Sequence, residues 1–508
     1  MKINKISIAI VALCSLTFIG CNDEDYVVLP EQEGITDPEV DTTVYTSGTA
    51  DFSTFISVGN SITAGYSDGA LFKSGQENSF PNILAGQFSL AGGGDFSQPL
   101  MNDDIGGLLL GGNQIQENRF YLNFDAVNGN GPVRLSGTPT TEVSNILSGP
   151  FNNMGVPGAK SFHLGFSGYG NIMGLTPENA YANPYYVRMA TTPGATVIGD
   201  AMSQSPTFFS LWIGNNDVLS YALSGGTGVD QLGNDNLALY KKNDITDPEI
   251  FENTYRNLLE ALTSEGAKGI VSTVPKVTSI PYFTTVPYNA IPLDAATATM
   301  LNQAFATYNG GLQAMVANSL LTAEEADRRN ISFVEGQNSV LIFDEDLTDL
   351  TIYNSGLTNM RMATGEDLIV LPAMNFLGTL VGDNPSLING VSVPLSDEWV
   401  LTPEEQEKVN TAQVAYNESI KILAVQYDVV LFDATSLFTE LIETGITQDE
   451  ITTTGKFATG GGFSLDGVHP SPRGAAILAN GMMDAINTAY GSNLPRVNVG
   501  NYKGVYVD

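Results

Sequence analysis

The sequence predicts an α/β protein in which a parallel sheet is covered by helices on both faces. Two observations lead to that class. Short apolar runs, partly β-branched or aromatic and bounded by Gly, Pro, Asn or Asp, recur along the chain, as strands buried on both sides do. Between them lie longer segments with apolar residues at helical spacing, and strands alternating with helices build a doubly covered parallel sheet.

The strand runs are Phe52 to Val58, Thr207 to Ile213, Gly269 to Val274 and Tyr427 to Phe432. Helical periodicity appears from Pro248 to Ser264, with Ile250, Tyr255, Leu258, Leu259 and Leu262 on one side. It returns from Pro403 to Val425, with Val409, Val414, Ile420 and Leu423, and from Arg473 to Tyr490, with Ala475, Leu478, Met482 and Ile486. Residues 67–150 and 281–399, rich in Gly, Asn, Asp and Thr with short apolar runs, read as insertions.

Residues 1–20 are an address. Lys2 and Lys5 precede a short apolar run, Ile6 to Ile19, too short to span a bilayer, so the segment reads as a secretory signal. It ends Phe18-Ile19-Gly20-Cys21. A small residue before a cysteine at that place resembles the bacterial lipobox, which implies cleavage there and lipid attachment at Cys21. Eight acids and no base follow between Asn22 and Asp41, a composition that cannot bury enough apolar surface to fold. Residues 21–50 therefore read as an acidic tether. Acids directly after the cysteine also resemble the export tag of surface lipoproteins of Bacteroidetes. The expected location is the cell envelope, as an outer-membrane lipoprotein with surface display possible.

A formal charge of −34 in 508 residues repels nucleic acid phosphates, which excludes a nucleic acid partner. With 43% hydrophobic and 15% charged residues the body is globular. Cys14 and Cys21 are the two cysteines. Both belong to the signal and the lipid site, which leaves no thiol for a disulfide, a zinc cluster or a cysteine nucleophile.

Four blocks carry chemistry. In Phe55-Ile56-Ser57-Val58-Gly59-Asn60-Ser61-Ile62-Thr63 a strand runs into a Gly-x-Ser turn. This places Ser61 at the carboxyl edge of the sheet, where open α/β folds bind ligands. In Asn153-Met154-Gly155-Val156-Pro157-Gly158-Ala159 the Gly and Pro are turn residues, and Gly158 leaves a bare backbone N–H for close approach. Leu211-Trp212-Ile213-Gly214-Asn215-Asn216-Asp217 follows an apolar strand, and an Asn amide there can donate to a developing oxyanion. Asp217 is read as structural. In Asp466-Gly467-Val468-His469-Pro470 an acid and an imidazole three residues apart in a turn can point to one side. Only His163 and His469 occur, and His163 lacks an acid three residues before it, so it reads as structural.

Together these blocks resemble the SGNH/GDSL hydrolase superfamily of GDSL-like lipases and acylhydrolases. The resemblance spans Phe52 to about Tyr490 and is specific at the four blocks. It implies a three-layer α/β/α sandwich with a five-stranded parallel, flavodoxin-like sheet carrying long insertions. It makes Ser61 the nucleophile, His469 the general base and Asp466 the orienting acid. The oxyanion hole would be the N–H groups of Ser61 and Gly158 with the Asn216 amide. The usual Gly-Asp-Ser-Leu reads Gly59-Asn60-Ser61-Ile62 here.

By length alone about three domains would be expected. Because the blocks run from Ser61 to His469, one hydrolase domain is expected over 51–492, with a tail at 493–508. The expected activity is carboxylic ester hydrolysis through an acyl-enzyme, by an esterase or lipase. A glycan O-acetyl esterase with the same triad is the alternative, and a non-catalytic glycan-binding surface lipoprotein is the alternative of another class. The substrate would be an acyl lipid, a short ester or an acetylated glycan. The chemistry needs no cofactor and no metal. Acidic loops such as Asn102-Asp103-Asp104 do not match a full calcium-ligand spacing.

Overall fold

The structure is a computed structural model that describes residues 42–125, 129–176 and 181–507. The signal segment, Cys21 and the acidic residues to Asp41 lie outside the described residues.

Five strands make the central sheet: β1 (Phe55–Gly59), β2 (Asn153–Gly155), β3 (Phe208–Trp212), β4 (Lys268–Ser272) and β5 (Val430–Phe432). They pair in the order β5-β4-β3-β1-β2, all parallel. Read from the other edge this is 2-1-3-4-5, the flavodoxin-like order, in which open α/β folds bind ligands at the switch between β1 and β3. Four strands match the apolar runs seen in the sequence, β1 passing its run by Gly59 and β4 preceding its run by Lys268. The fifth, β2, was not foreseen. It has three residues and lies inside the block read as a turn.

Helices cover both faces. The seven used below are α1 (Ser61–Ala64), α2 (Phe80–Ser89), α3 (Asn215–Leu223), α4 (Pro248–Thr263), α5 (Ala295–Ala317), α6 (Pro403–Gln426) and α7 (Pro472–Tyr490). On one face α2 and α7 pack together. Phe52 and Phe88 stack at 4.1 Å, while Phe208 of β3 meets Phe88 at 5.5 Å and Tyr490 at 5.7 Å. Each of these phenylalanines is fully buried, and such burial contributes roughly 2–3 kcal/mol per side chain. On the other face α4 and α6 pack together, with Phe251 stacked on Tyr416 at 4.2 Å.

Val414, read as part of the buried face of α6, is exposed. It lies five residues past Val409, about 140° around the helix. Ala412, Tyr416, Ile420 and Leu423 continue the buried stripe instead.

The segment 67–150 contributes α2 to the core and then two antiparallel hairpins, Gly106–Leu110 with Asn113–Asn118 and Phe120–Asp125 with Gly129–Arg134. Within 281–399 lie α5 and several two-stranded ladders, among them Leu341–Phe343 with Met360–Met362. Arg361 ties that segment together from inside, its guanidinium gripping both oxygens of Asp367 at 2.7 Å and also reaching Asp344. At the carboxyl end Leu494, Val499 and Tyr506 are buried, and the Leu122 N–H donates to Tyr506 O.

Candidate active site

The register aligns three strand ends. Gly59 of β1 pairs with Gly155 of β2 on one side and with Trp212 of β3 on the other. The chain leaves these ends toward Ser61, Gly158 and Asn216, so the switch point gathers the first three blocks.

Ser61 opens α1. Asn60 caps that helix by accepting the Ile62 N–H at 3.1 Å, and its amide donates to Asn215 Oδ1 at 2.9 Å. The Asn60–Asn215 pair thus joins the first block to the third. As the first residue of a helix, Ser61 has a backbone N–H with no intrahelical acceptor. The strand beneath fits closely, since a Cβ on Gly155 would lie 2.3 Å from Ala64 N.

Gly158 has φ +80°, a conformation that favours glycine. Its N–H has no hydrogen-bond partner among the described residues. Asn216 sits in the first turn of α3 and spends one amide hydrogen on Ala159 O at 2.8 Å. That bond holds the Gly158 loop against α3. Asp217, fully buried, accepts both the N–H and the hydroxyl of Ser161, at 2.9 and 2.7 Å. Burial raises its carboxyl above the ordinary range, against the opposing Lys160 charge and the Ser161 bonds.

The fourth block arrives from the far end of the chain. His469 Nε2 is 2.8 Å from Ser61 Oγ, and its Nδ1 is 2.8 Å from Asp466 Oδ2. Asp466 Oδ1 accepts the N–H groups of Val468 and His469 and the hydroxyl of Ser464, while Oδ2 also accepts the Gly69 N–H at 3.0 Å. Burial alone would raise the carboxyl. The imidazole charge and these hydrogen bonds prevail and lower it to about 2. An ionised Asp466 fixes the Nδ1–H tautomer, which leaves Nε2 to accept from the Ser61 hydroxyl.

Several contributors escaped the sequence reading. Tyr66 places its ring 4.8 Å from the imidazole. Asp68 donates its N–H to Ser464 Oγ and accepts the Leu465 N–H, while its Oδ2 is buried without a partner. Burial, aided by Asp466, pushes its carboxyl up to about 7. Tyr66, Asp68 and Gly69 follow Ser61 by a few residues, and that proximity is the one signal that would have pointed to them.

The five site residues expected from sequence occupy one edge of the sheet, with Ser61, His469 and Asp466 in a continuous hydrogen-bonded line. His163 stands apart from that line. Its Nδ1 accepts the Lys160 N–H and its ring stacks on Tyr169 at 4.7 Å. Burial, then the Lys160 charge, lower it to about 3, so it stays neutral.

No protein-family model matches the chain, and neither does any curated protein. Among solved structures the chain is similar to a variant of an acetyl-xylooligosaccharide esterase from Geobacillus, at 11% identity and a TM-score of 0.30. The match covers 86% of this chain and 96% of that one.

Proposed function

We propose that the protein is a serine-dependent carboxylic ester hydrolase. The observation that carries this reading is the unbroken line Ser61–His469–Asp466 at the carboxyl edge of the sheet. In the proposed reaction Ser61 Oγ attacks the ester carbonyl carbon while its proton passes to His469 Nε2. Asp466 stabilises the imidazolium that forms. The negative charge on the carbonyl oxygen is met by the Ser61 and Gly158 N–H groups and the second amide hydrogen of Asn216. As the intermediate collapses, His469 returns the proton to the leaving alkoxide. Water, deprotonated by the same imidazole, then releases the acid from the acyl-enzyme.

The 281–399 segment touches this site, because the Tyr282 N–H donates to Gly467 O at 2.9 Å within the acid–base turn. Just beyond, from Thr285, begins a cavity of about 530 Å³ lined by apolar residues that include Val286, Ile291, Leu293, Met374 and Leu377. The test is a panel of nitrophenyl esters from acetate to palmitate, run beside acetylated xylan, with wild type and Ser61→Ala. The expected result is turnover that Ser61→Ala lowers at least about a thousandfold. Turnover unaffected by the substitution, or none on any ester, would overturn the reading.

A further inference from the structure

A second cluster of ionisable groups lies away from the triad, where the 281–399 segment meets the body of the protein. Glu345 follows the ladder strand Leu341–Phe343, Asp397 stands near the exit of the same segment, and Glu405 lies in the first turn of α6. One carboxylate oxygen from each lies within 4.8 Å of the other two. Neighbouring acids have cations: Asp344 and Glu404 pair with Arg328, Asp367 with Arg361, and Glu325 with Arg329. None of the three has an ion-pair partner among the described residues.

Glu405 gives the second observation. It is fully buried, and both capping bonds from Thr402, its N–H at 2.7 Å and its hydroxyl at 2.9 Å, fall on Oε2. Oε1 is also buried and has no partner among the described residues. The fold keeps room for that atom, since a Cβ on Gly226, just after α3, would lie 1.6 Å from it. A Cβ on the adjoining Gly225 would lie 2.1 Å from Asp397 O. Oε1 thus has no donor while its carboxyl lies beside two others, an arrangement that a cation or a bound proton must offset.

We propose that Glu345, Asp397 and Glu405 bind one calcium ion that clamps the 281–399 segment to α6. The donors are all oxygens, with no imidazole or thiolate, which selects hard divalent ions over zinc. Magnesium is usually held through one or two carboxylates and keeps most of its waters, whereas calcium accepts several protein oxygens in a flexible shell, so three carboxylates favour calcium. Glu345 is exposed, so water can complete the larger calcium shell. Without an ion the site is strained electrostatically. Burial first, then Glu345, push Asp397 up to about 7, and burial with Glu345 and Asp397 pushes Glu405 up to about 8.

The test uses the full chain, stripped with EDTA and titrated with calcium chloride and, separately, magnesium chloride by calorimetry at 0.15 M salt. One calcium site per chain is expected, with a Kd in the range of about 10⁻⁶–10⁻⁴ M, weakened at least tenfold in both Glu405→Gln and Glu345→Gln. Glu345→Gln keeps the test open should the buried substitution fail to fold. In metal-free buffer at pH 7 Glu405→Gln should melt above the wild type, because the wild type must bury either a charge or a proton that the unfolded chain has released, and its Tm should no longer respond to calcium. The proposal is overturned if the wild type takes up no calcium, if both variants bind equally well, or if magnesium binds more tightly. Ester hydrolysis is not read, so the result is independent of the proposed activity.

Discussion

Asp466→Asn is the substitution whose consequence the geometry constrains most. The carboxylate takes five donors: Val468 N, His469 N and Ser464 Oγ on Oδ1, and Gly69 N and His469 Nδ1 on Oδ2. An amide must set its NH₂ on one side. The Oδ1 side would oppose three donors, so the NH₂ goes to the Oδ2 side. There it donates to His469 Nδ1, which becomes the bare nitrogen, and the proton moves to Nε2, facing Ser61. The base then holds a hydrogen where it must accept one. A mis-set tautomer costs about four orders of magnitude in kcat, or roughly 5 kcal/mol. The Gly69 N–H also loses its acceptor, worth about 1–3 kcal/mol of stability. Steady-state hydrolysis of nitrophenyl acetate should show the fall in kcat with KM nearly unchanged, and urea unfolding should show the stability loss. A variant retaining kcat within tenfold of wild type would refute the tautomer argument.

Three further predictions concern the neighbours of the triad. Asn216→Ala should lower kcat about 10²- to 10³-fold with little change in KM, because its donor acts on charge present in the transition state. Asp217→Asn should instead cost mainly stability, about 1–3 kcal/mol, since its amide would oppose a Ser161 donor, and a larger kcat loss there than in Asn216→Ala would reverse the assignment. The raised carboxyl of Asp68 makes stability depend on pH. Between about pH 4 and 7 the folded state keeps a proton the unfolded chain has released, so this group's stabilisation is complete below 4 and lost as pH rises toward 7. The loss is about 4 kcal/mol. Asn tolerates the local φ of +50°, so Asp68→Asn should match wild type at pH 4 and exceed it at pH 8 in urea titrations. Parallel pH curves for the two proteins would rule this out.

The sheet was legible where a strand is long and bulky enough to leave an apolar run, as in β1 and β3. It was not legible at β2, because three residues ending in Gly155 look like the turn that follows them. The Asp466–His469 pair was legible because its spacing is local and the chain has few imidazoles. The donors that hold Asp466 are a backbone N–H from Gly69 and a hydroxyl from Ser464, and neither residue type carries a signature of that task. Long-range pairing also hid the 281–399 segment, whose ladders are two or three residues deep and too short for periodicity to register. The role of Asn60 needed coordinates as well, since its amide reaches Asn215 across 155 positions.

The hydrogen bond between Ser61 and His469 spans 408 positions, and those from Gly69 to Asp466 and Asp68 to Ser464 span almost as many. Translation proceeds at about 5–20 residues per second, so the serine is made roughly 20–80 s before its base. Throughout that interval Ser61 lacks the imidazole that the structure sets against its hydroxyl. Under the proposed mechanism a fragment that stops short of Asp466 has neither the acid nor the base. The order of the blocks then acts as a delay: the proposed reaction waits until residues 408 positions apart have met.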